Sequence, residues 1–175
     1  MMVFPELRVG NGFDIHPFCD DPSRALVLAG VRIDGSPGLA GHSDADAIAH
    51  AISDALLGAA GLGDIGQHFP DTDPAWRGAD SMELLEATVG LVVGDGWRIA
   101  NVDCTVVLEA PKLAPHRAAM VARLEAVIGA PASVKAKRAE QLGSLGRREG
   151  IACFAVALLM RTPEQQTQQS TEEGS

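Results

Sequence analysis

The segment from residue 44 to 59 has the clearest helical pattern in the chain, and it restricts what the other segments can form. One face of this predicted helix is polar and carries Asp46, His50 and Asp54, one turn apart. Ser43 followed by Asp46 has the form of a capping box, so we expect Ser43 to begin the helix. Because an apolar helix face must be buried, the chain needs a sheet or a second helix to cover it. The predicted core face consists of Ala47, Ile48, Ala51, Ile52, Ala55 and Leu56.

Strand and helix patterns alternate along the remaining sequence. Predicted strands cover residues 8–16, 25–29, 31–33, 97–108, 134–137 and 151–160, and further helices cover 81–93 and 115–128. This order favours an α+β fold, with a mixed β-sheet and helices packed on one face, in a sandwich related to ferredoxin-like folds. Residues 63–74 contain three carboxylates and two prolines without periodicity. We therefore expect a long loop there, of a length that is often functional.

Composition narrows the classes of partner and compartment. The chain has 175 residues and a formal net charge of -9, which disfavours nucleic acid and anionic membrane surfaces as partners. It has no apolar stretch of the roughly 18 residues that a membrane helix needs. Its three cysteines are scattered, a pattern typical of reduced thiols in the cytoplasm. We expect residues 1–161 to form a single domain and residues 162–175 to be a disordered polar tail.

Asp14, His16 and His50 form a candidate metal site. Asp14 and His16 alternate on a predicted strand, so both side chains point to one face. A helix that brings His50 to that face completes one carboxylate and two imidazoles, a ligand set suited to zinc with an open fourth position. We expect Asp46 and Asp54, one turn either side of His50, to orient its second nitrogen. The alternative is that these histidines have ordinary core or surface roles.

Two further features indicate binding of phosphate. His42 precedes the predicted helix start, where it either contacts a phosphate or is an exposed loop residue. The sequence around Glu140 contains the only basic cluster, which either neutralises phosphates, with Glu140 as a Mg²⁺ ligand, or is a solvated surface of ion pairs. Zinc beside phosphate-binding groups indicates phosphoryl chemistry, and spacing leaves the reaction open. The cluster consists of Lys135, Lys137, Arg138, Arg147 and Arg148.

The chain resembles the 2-C-methyl-D-erythritol 2,4-cyclodiphosphate synthases of non-mevalonate isoprenoid biosynthesis. This resemblance implies a homotrimer with active sites between subunits. It also implies a CDP-linked methylerythritol 2-phosphate as substrate, whose 2-phosphate attacks the β-phosphorus so that CMP leaves. The matching segments occur in order between residues 8 and 161, at 12–16, 39–50, 54–58, 63–66, 69–73, 78–81, 101–103, 110–112 and 146–152.

The resemblance also implies roles for individual residues. Asp14, His16 and His50 would bind zinc, Glu140 would bind Mg²⁺ or Mn²⁺, and His42 would stabilise developing charge. Ile15 and Ser43 would lie beside the substrate. The implied methylerythritol pocket contains Asp64, Ile65, Gly66, Phe69, Pro70, Asp71, Thr72 and Asp73. The implied cytosine site, from a neighbouring subunit, contains Leu108, Glu109, Ala110, Pro111, Lys112, Leu113 and Ala114. Further implied substrate contacts are Lys137, Arg138, Ala139, Glu140, Ser144 and Arg147.

The chain departs from the family pattern at two places. Many members have a run of threonines where this chain has Lys137, Arg138 and Ala139. We expect Lys137 and Arg138 to act as catalytic residues that supply charge and donors in their place. Arg148 stands where a glycine is usual, beside Arg147, which in the family lies near the trimer axis.

Two other functions remain open from the sequence. One is a zinc phosphohydrolase on the same scaffold, in which water takes the place of the 2-phosphate. The other is a trimeric ligand-binding protein with a structural zinc ion. An open fourth ligand position disfavours the second alternative, because structural zinc sites are closed.

Overall fold

The computed structural model describes residues 4–161. Its strands are β1 (Glu6–Pro17), β2 (Ala25–Leu28), β3 (Val31–Pro37), β4 (Arg98–Val107), β5 (Ala132–Lys137) and β6 (Gly150–Arg161). Its helices are α1 (Ala47–Ala60), α2 (Ile65–His68), α3 (Ser81–Gly94), α4 (Arg117–Ile128) and α5 (Gly143–Gly146), with a 3₁₀ turn at Pro74–Trp76. The predicted order of long elements is confirmed, whereas the predicted disordered tail lies outside the described residues.

The strands form a mixed sheet in the order β1-β6-β4-β5, and β2 and β3 form a separate antiparallel pair. The β1–β6 and β4–β6 pairs are antiparallel, and β4 and β5 are parallel. The α1 helix packs on β1 and β6, α3 packs against α1, and α4 packs against β5 and α3. This arrangement confirms the predicted α+β class with a mixed sheet.

Two glycines of β1 allow α1 to lie directly on the strand. A Cβ atom at Gly10 would be 2.0 Å from the Ala55 carbonyl oxygen, and one at Gly12 would be 1.9 Å from the Ala51 carbonyl oxygen. No larger residue fits at that separation, because nonbonded carbon and oxygen atoms repel strongly there. All six residues of the predicted apolar stripe of α1 are buried. The helix and strand therefore share one closely packed layer of small side chains.

The start of α1 differs from the prediction. The helix begins at Ala47, and its N-cap is Asp46 rather than Ser43. One Asp46 oxygen accepts the N–H groups of Ile48 and Ala49, each at 3.1 Å, and the other accepts the Gly30 N–H at 2.7 Å. Since Asp46 satisfies the first free donors of the helix, Ser43 is not needed as the cap. In the same way, Asp80, the residue before the first helical residue Ser81, caps α3.

The predicted loop at residues 63–74 contains two short helical segments. Asp64 caps α2, and Asp73 caps the 3₁₀ turn. Segments of three or four residues have no apolar period to reveal them, so the pattern alone indicates only a loop. Among the described residues, no helix has the length and apolar character required to span a membrane.

We predict that Asp46→Ala lowers the free energy of unfolding by at least about 2 kcal/mol, because it removes a cap and takes the acceptor from the partly buried Gly30 N–H. Asp46 is fully buried. The matched control is Asp80→Ala, which removes an exposed cap with one side-chain bond, to Met82, and should cost about 1 kcal/mol. Urea denaturation measures both values. Equal losses would contradict the role assigned to the Gly30 bond.

Candidate metal centre and neighbouring cavities

Three side chains from two elements converge on one point between β1 and α1. The His16 Nε2 atom is 2.9 Å from Asp14 Oδ2, and the His50 Nδ1 atom is 3.2 Å from that oxygen and 3.3 Å from His16 Nε2. Ligand atoms of a tetrahedral ion with bonds of about 2.0–2.1 Å lie about 3.3 Å apart. Within residues 4–161, this is the only cluster of three or more such ligands. The three side chains therefore fit a divalent metal ion.

The alternation of β1 produces this convergence. Gly10, Gly12, Asp14 and His16 lie on the strand face that α1 covers, while the residues between them point away. The His16 Nδ1 atom lies 2.9 Å from the Ala40 carbonyl oxygen, which only accepts, so Nδ1 carries the hydrogen. This bond aims the His16 Nε2 atom at Asp14 and at the candidate metal position.

Asp14 and His16 shift each other's pKa. Burial by itself raises the pKa of Asp14, but the close contacts with the His16 and His50 rings outweigh it and hold that pKa well below its usual range. Burial opposes the charged form of His16, yet the hydrogen bond and charge of Asp14 raise the pKa of His16 above its ordinary value. Protons and a metal ion therefore compete for the same three ligand atoms.

The predicted partners of the second His50 nitrogen are wrong. Asp46 is occupied as the helix cap, and Asp54 accepts the Ile65 N–H at 2.8 Å. The actual neighbours of His50 Nε2 are the hydroxyl oxygens of Ser81, at 2.9 Å, and Ser43, at 3.2 Å. Burial raises the pKa of Asp54, which the Ile65 N–H opposes. Helical spacing placed the two carboxylates near His50 but did not reveal their backbone partners.

A cavity of about 450 Å³ opens beside the metal cluster. It brings together eight of the predicted site residues: His16, His42, Ser43, His50, Ile65, Gly66, Phe69 and Asp71. Gly41, Trp76 and Leu84 also line it and were not predicted. The Trp76 ring meets Phe69 edge-on, with centroids 5.2 Å apart. The sequence signal for Trp76 was a large aromatic residue just after the acidic, proline-containing segment 63–74.

The backbone that carries His42 is held from both sides. The Arg24 guanidinium donates to the carbonyl oxygens of Leu39 and Ser43. The Gly78 N–H donates to the His42 carbonyl oxygen at 2.8 Å. These bonds place the His42 side chain at the wall of the cavity.

The cavity lining does not include four residues predicted for the same pocket: Asp64, Pro70, Thr72 and Asp73. Asp64 accepts the backbone and side-chain N–H groups of Gln67, each at 3.0 Å. Asp73 accepts the Ala75 N–H at 2.9 Å. Both carboxylates thus bind local backbone donors, a use that residue type and spacing did not distinguish from ligand binding.

A second cavity, of about 200 Å³, lies where β4 and β5 end. Val107 and Lys137 are neighbours at the carboxyl ends of these parallel strands, so the segments that follow them meet. The lining consists of Leu108, Glu109, Pro111, Lys112, Leu113, Ala114, Ala136, Lys137 and Arg138. The predicted cytosine segment and the predicted catalytic pair therefore lie together, with Ala110 outside the lining. The two cavities share no lining residue.

Four residues of the basic cluster divide between the second cavity and surface ion pairs, and the fifth, Arg148, lines a separate cavity with Phe18 and Ala110. Lys137 and Arg138 line the cavity, whereas Lys135 pairs with Asp103. Arg147 pairs with Glu149, with Nε and Oε1 at 2.6 Å. The solvated-surface interpretation thus fits Lys135 and Arg147, and the phosphate interpretation remains for Lys137 and Arg138.

Four other predicted residues lie apart from both cavities: Ile15, Ala139, Glu140 and Ser144. Ser144 lines a third cavity, of about 310 Å³, with Ile15 and His16. Glu140 is exposed. Ala139 lies between Arg138 and Glu140 and is half-buried.

Comparison with known proteins identifies the relatives of this chain. The YgbB family model matches residues 7–160. A 2-C-methyl-D-erythritol 2,4-cyclodiphosphate synthase from Bordetella avium is 54% identical over 163 residues, covering 91% of this chain and 99% of that protein.

Solved structures agree with this match. The bifunctional IspDF from Campylobacter jejuni has a TM-score of 0.86 at 42% identity, covering 90% of this chain and 43% of that longer chain. IspF from Plasmodium falciparum, solved as a CDP complex, has a TM-score of 0.78 at 34% identity, covering 91% of this chain and 99% of that one. The chain therefore belongs to the YgbB family, together with the 2-C-methyl-D-erythritol 2,4-cyclodiphosphate synthases that match most of its length.

Proposed function

We propose that this chain converts 4-diphosphocytidyl-2-C-methyl-D-erythritol 2-phosphate to 2-C-methyl-D-erythritol 2,4-cyclodiphosphate and CMP, in isoprenoid precursor biosynthesis. The observation that carries the proposal is the convergence of Asp14, His16 and His50 beside a cavity of about 450 Å³. The proposal is supported by relatives named for this synthase activity that match most of the chain. In this role the chain is a phosphorus–oxygen lyase.

The reaction is an intramolecular phosphoryl transfer. An oxygen of the 2-phosphate forms a bond to the β-phosphorus, and the bond from that phosphorus to the CMP oxygen breaks, with the electron pair leaving on CMP. Because one substrate carries both phosphates, the enzyme gains proximity without a side-chain nucleophile. The site must instead place donors and cations around the charge that develops.

We assign zinc to Asp14, His16 and His50, because two imidazoles and one carboxylate leave a fourth tetrahedral position open. Glu140 is the proposed protein ligand of Mg²⁺ or Mn²⁺, since magnesium binds proteins through one or two carboxylates plus phosphates. When bound, these ions supply Lewis acids that polarise phosphoryl oxygens. The second nitrogens of His16 and His50 contact the Ala40 carbonyl oxygen and the Ser81 hydroxyl, which leaves the other nitrogens facing the candidate metal position.

The remaining residues bind and orient the substrate. His42 and Ser43, at the cavity wall, are the proposed donors to the developing charge. Ile65, Gly66, Phe69 and Asp71 enclose the methylerythritol group and exclude water. From the neighbouring subunit, the second cavity takes the cytosine, mainly through backbone groups of residues 108–114, and presents Lys137 and Arg138 to the phosphates. Asp64, Pro70, Thr72, Asp73, Ser144 and Arg147 remain proposed secondary contacts.

A homotrimer is the proposed assembly. The face of the sheet opposite α1 exposes large apolar side chains: Leu7 (56%), Val9 (70%), Phe13 (46%), Ile15 (50%), Phe154 (51%) and Val156 (46%). Phe13 and Phe154 pair across β1 and β6, with ring centroids 4.8 Å apart. An apolar patch of this kind is typical of subunit interfaces. In the proposed trimer, one subunit's first cavity lies beside another subunit's second cavity.

We place the protein in the cytoplasm, as one domain over residues 1–161. The three cysteines, Cys19, Cys104 and Cys153, are free thiols in the structure, as expected in a reducing compartment. We propose no nucleic-acid or membrane partner, since the net charge of -9 opposes both.

We predict one zinc ion per chain, bound by the purified protein and measured by competition with a chromophoric chelator. His50→Ala should weaken binding by more than about 100-fold, because loss of even an outer hydrogen-bond partner costs about 10–100-fold. His116→Ala is the control, since His116 lies outside the cluster. The zinc affinity of this variant should equal that of the unmodified chain. Unchanged binding in His50→Ala would remove the assigned ligand set.

Product analysis tests the reaction. With the CDP-linked substrate and Mg²⁺, phosphorus NMR should show the cyclic diphosphate and CMP in equal amounts. His42→Ala should lower kcat by about 10²–10³-fold, the usual cost of losing one donor to developing charge. A linear phosphate as the product would instead identify a phosphohydrolase, and the synthase proposal would be wrong.

A substitution at Arg138 tests whether this residue contacts the phosphates in place of the threonines found in many family members. Arg138→Ala should lower kcat/KM by at least about tenfold, because a hydrogen bond to a charged phosphate contributes about 1.5–3 kcal/mol. Arg117→Ala, an exposed arginine at the start of α4, is the matched control and should leave kcat/KM unchanged. Equal kinetics for the two variants would exclude a phosphate contact by Arg138.

A further inference from the structure

Ser81 and Asp44 form a hydrogen-bonded chain that ends on a metal-ligand histidine. The Ser81 hydroxyl donates to Asp44 Oδ1, and the Ser81 oxygen lies 2.9 Å from His50 Nε2. Ser81 is fully buried and Asp44 is half-buried. Neither residue lines the cavity beside the metal cluster, so neither is placed to touch a substrate there.

The direction of each hydrogen bond follows from Asp44. A carboxylate only accepts, so the single Ser81 hydroxyl hydrogen is committed to Asp44 Oδ1. The Ser81 oxygen can then only accept from His50, and the 2.9 Å contact requires the hydrogen on Nε2. A neutral imidazole with its hydrogen on Nε2 has its lone pair on Nδ1. Nδ1 is the atom that faces Asp14 and His16.

Asp44 is itself fixed as an acceptor. Its Oδ1 atom also accepts the backbone N–H groups of Asp46, at 3.2 Å, and Ser81, at 3.3 Å. Its own N–H donates to the Ala79 carbonyl oxygen at 3.1 Å. These bonds join the segment before α1 to the start of α3. The position of Ser81 relative to His50 is therefore set by the packing of two helices.

We propose that Ser81 and Asp44 are positioning residues that hold His50 in the tautomer whose Nδ1 binds the metal. This inference rests on the metal centre proposed above. Ser43 has a smaller part: its oxygen accepts the Ala45 N–H at 3.1 Å and lies 3.1 Å from Ser81 Oγ. Without the hydrogen bonds that link Asp44, Ser81 and His50, the His50 ring can turn or carry its hydrogen on Nδ1. A hydrogen on Nδ1 blocks metal binding there.

Zinc affinity of four variants tests the proposal. Ser81→Ala and Asp44→Ala should each weaken zinc binding by about 10–100-fold, the usual cost of losing such a partner. Asp44→Asn should restore most of the affinity, because its amide oxygen still accepts the Ser81 hydroxyl. Ser53→Ala is the matched control: Ser53 is a buried serine on α1 whose hydroxyl donates to Ala49, 2.9 Å away, rather than to His50.

A second readout detects the tautomer itself. In the zinc-loaded chain, proton–nitrogen NMR should show a slowly exchanging His50 Nε2–H. In Asp44→Ala that proton should exchange faster, while in Ser53→Ala it should not change. Circular dichroism reports whether each variant is folded. If Ser81→Ala does not fold, the zinc affinity and proton exchange of Asp44→Ala test the positioning role.

The outcomes separate this proposal from the one on which it rests. An unmodified chain that binds no zinc overturns the metal centre and this inference together. Zinc bound equally well by the unmodified chain, Ser81→Ala and Asp44→Ala overturns the positioning role alone. Weaker binding in both variants with normal binding in Ser53→Ala and Asp44→Asn supports it.

Discussion

The direct contact between α1 and β1 is the constraint on which the candidate site depends. At Gly10 and Gly12 the strand has no side chains to separate it from the Ala51 and Ala55 carbonyl oxygens of the helix. Asp14 and His16 follow on the same strand face, so the helix that covers the glycines also brings His50 within 3.3 Å of His16. A side chain at either glycine would lift the helix and separate the ligands. Packing and ligand geometry are therefore one property of this fold.

Four aspartates near this contact have different tasks because they meet different donors. Asp14 faces two imidazoles and lies at the candidate metal position. Asp46 takes three backbone N–H groups and begins α1. Asp44 accepts from Ser81, and Asp54 accepts from Ile65. The same type of side chain is thus a candidate metal ligand, a helix cap, an acceptor for a buried serine or a loop anchor, according to which donors the fold places around it.

Periodic features were predictable from the sequence, and local polar contacts were not. The apolar stripe of α1 and the shared face of Asp14 and His16 follow from periods of 3.6 and 2, which sequence spacing records directly. The assignment of Ser43 as the cap was wrong because Asp46, three residues later, satisfies the same donors. The partners of His50 were missed because Ser81 is 31 residues away in sequence and on another helix. Asp64 and Asp73 were expected in the ligand pocket but cap short helices.

The sequence by itself determined the element order, the buried face of α1 and the three candidate ligands, because each depends on residue type and short-range spacing. The resemblance of the sequence to the synthase family is the basis for the proposed reaction. The tertiary structure decided which nitrogen of each histidine faces the metal position, because that choice depends on acceptors from distant segments, Ala40 and Ser81. It also decided which basic residues are free to meet a phosphate, since Lys135 finds Asp103 only when β4 and β5 pair.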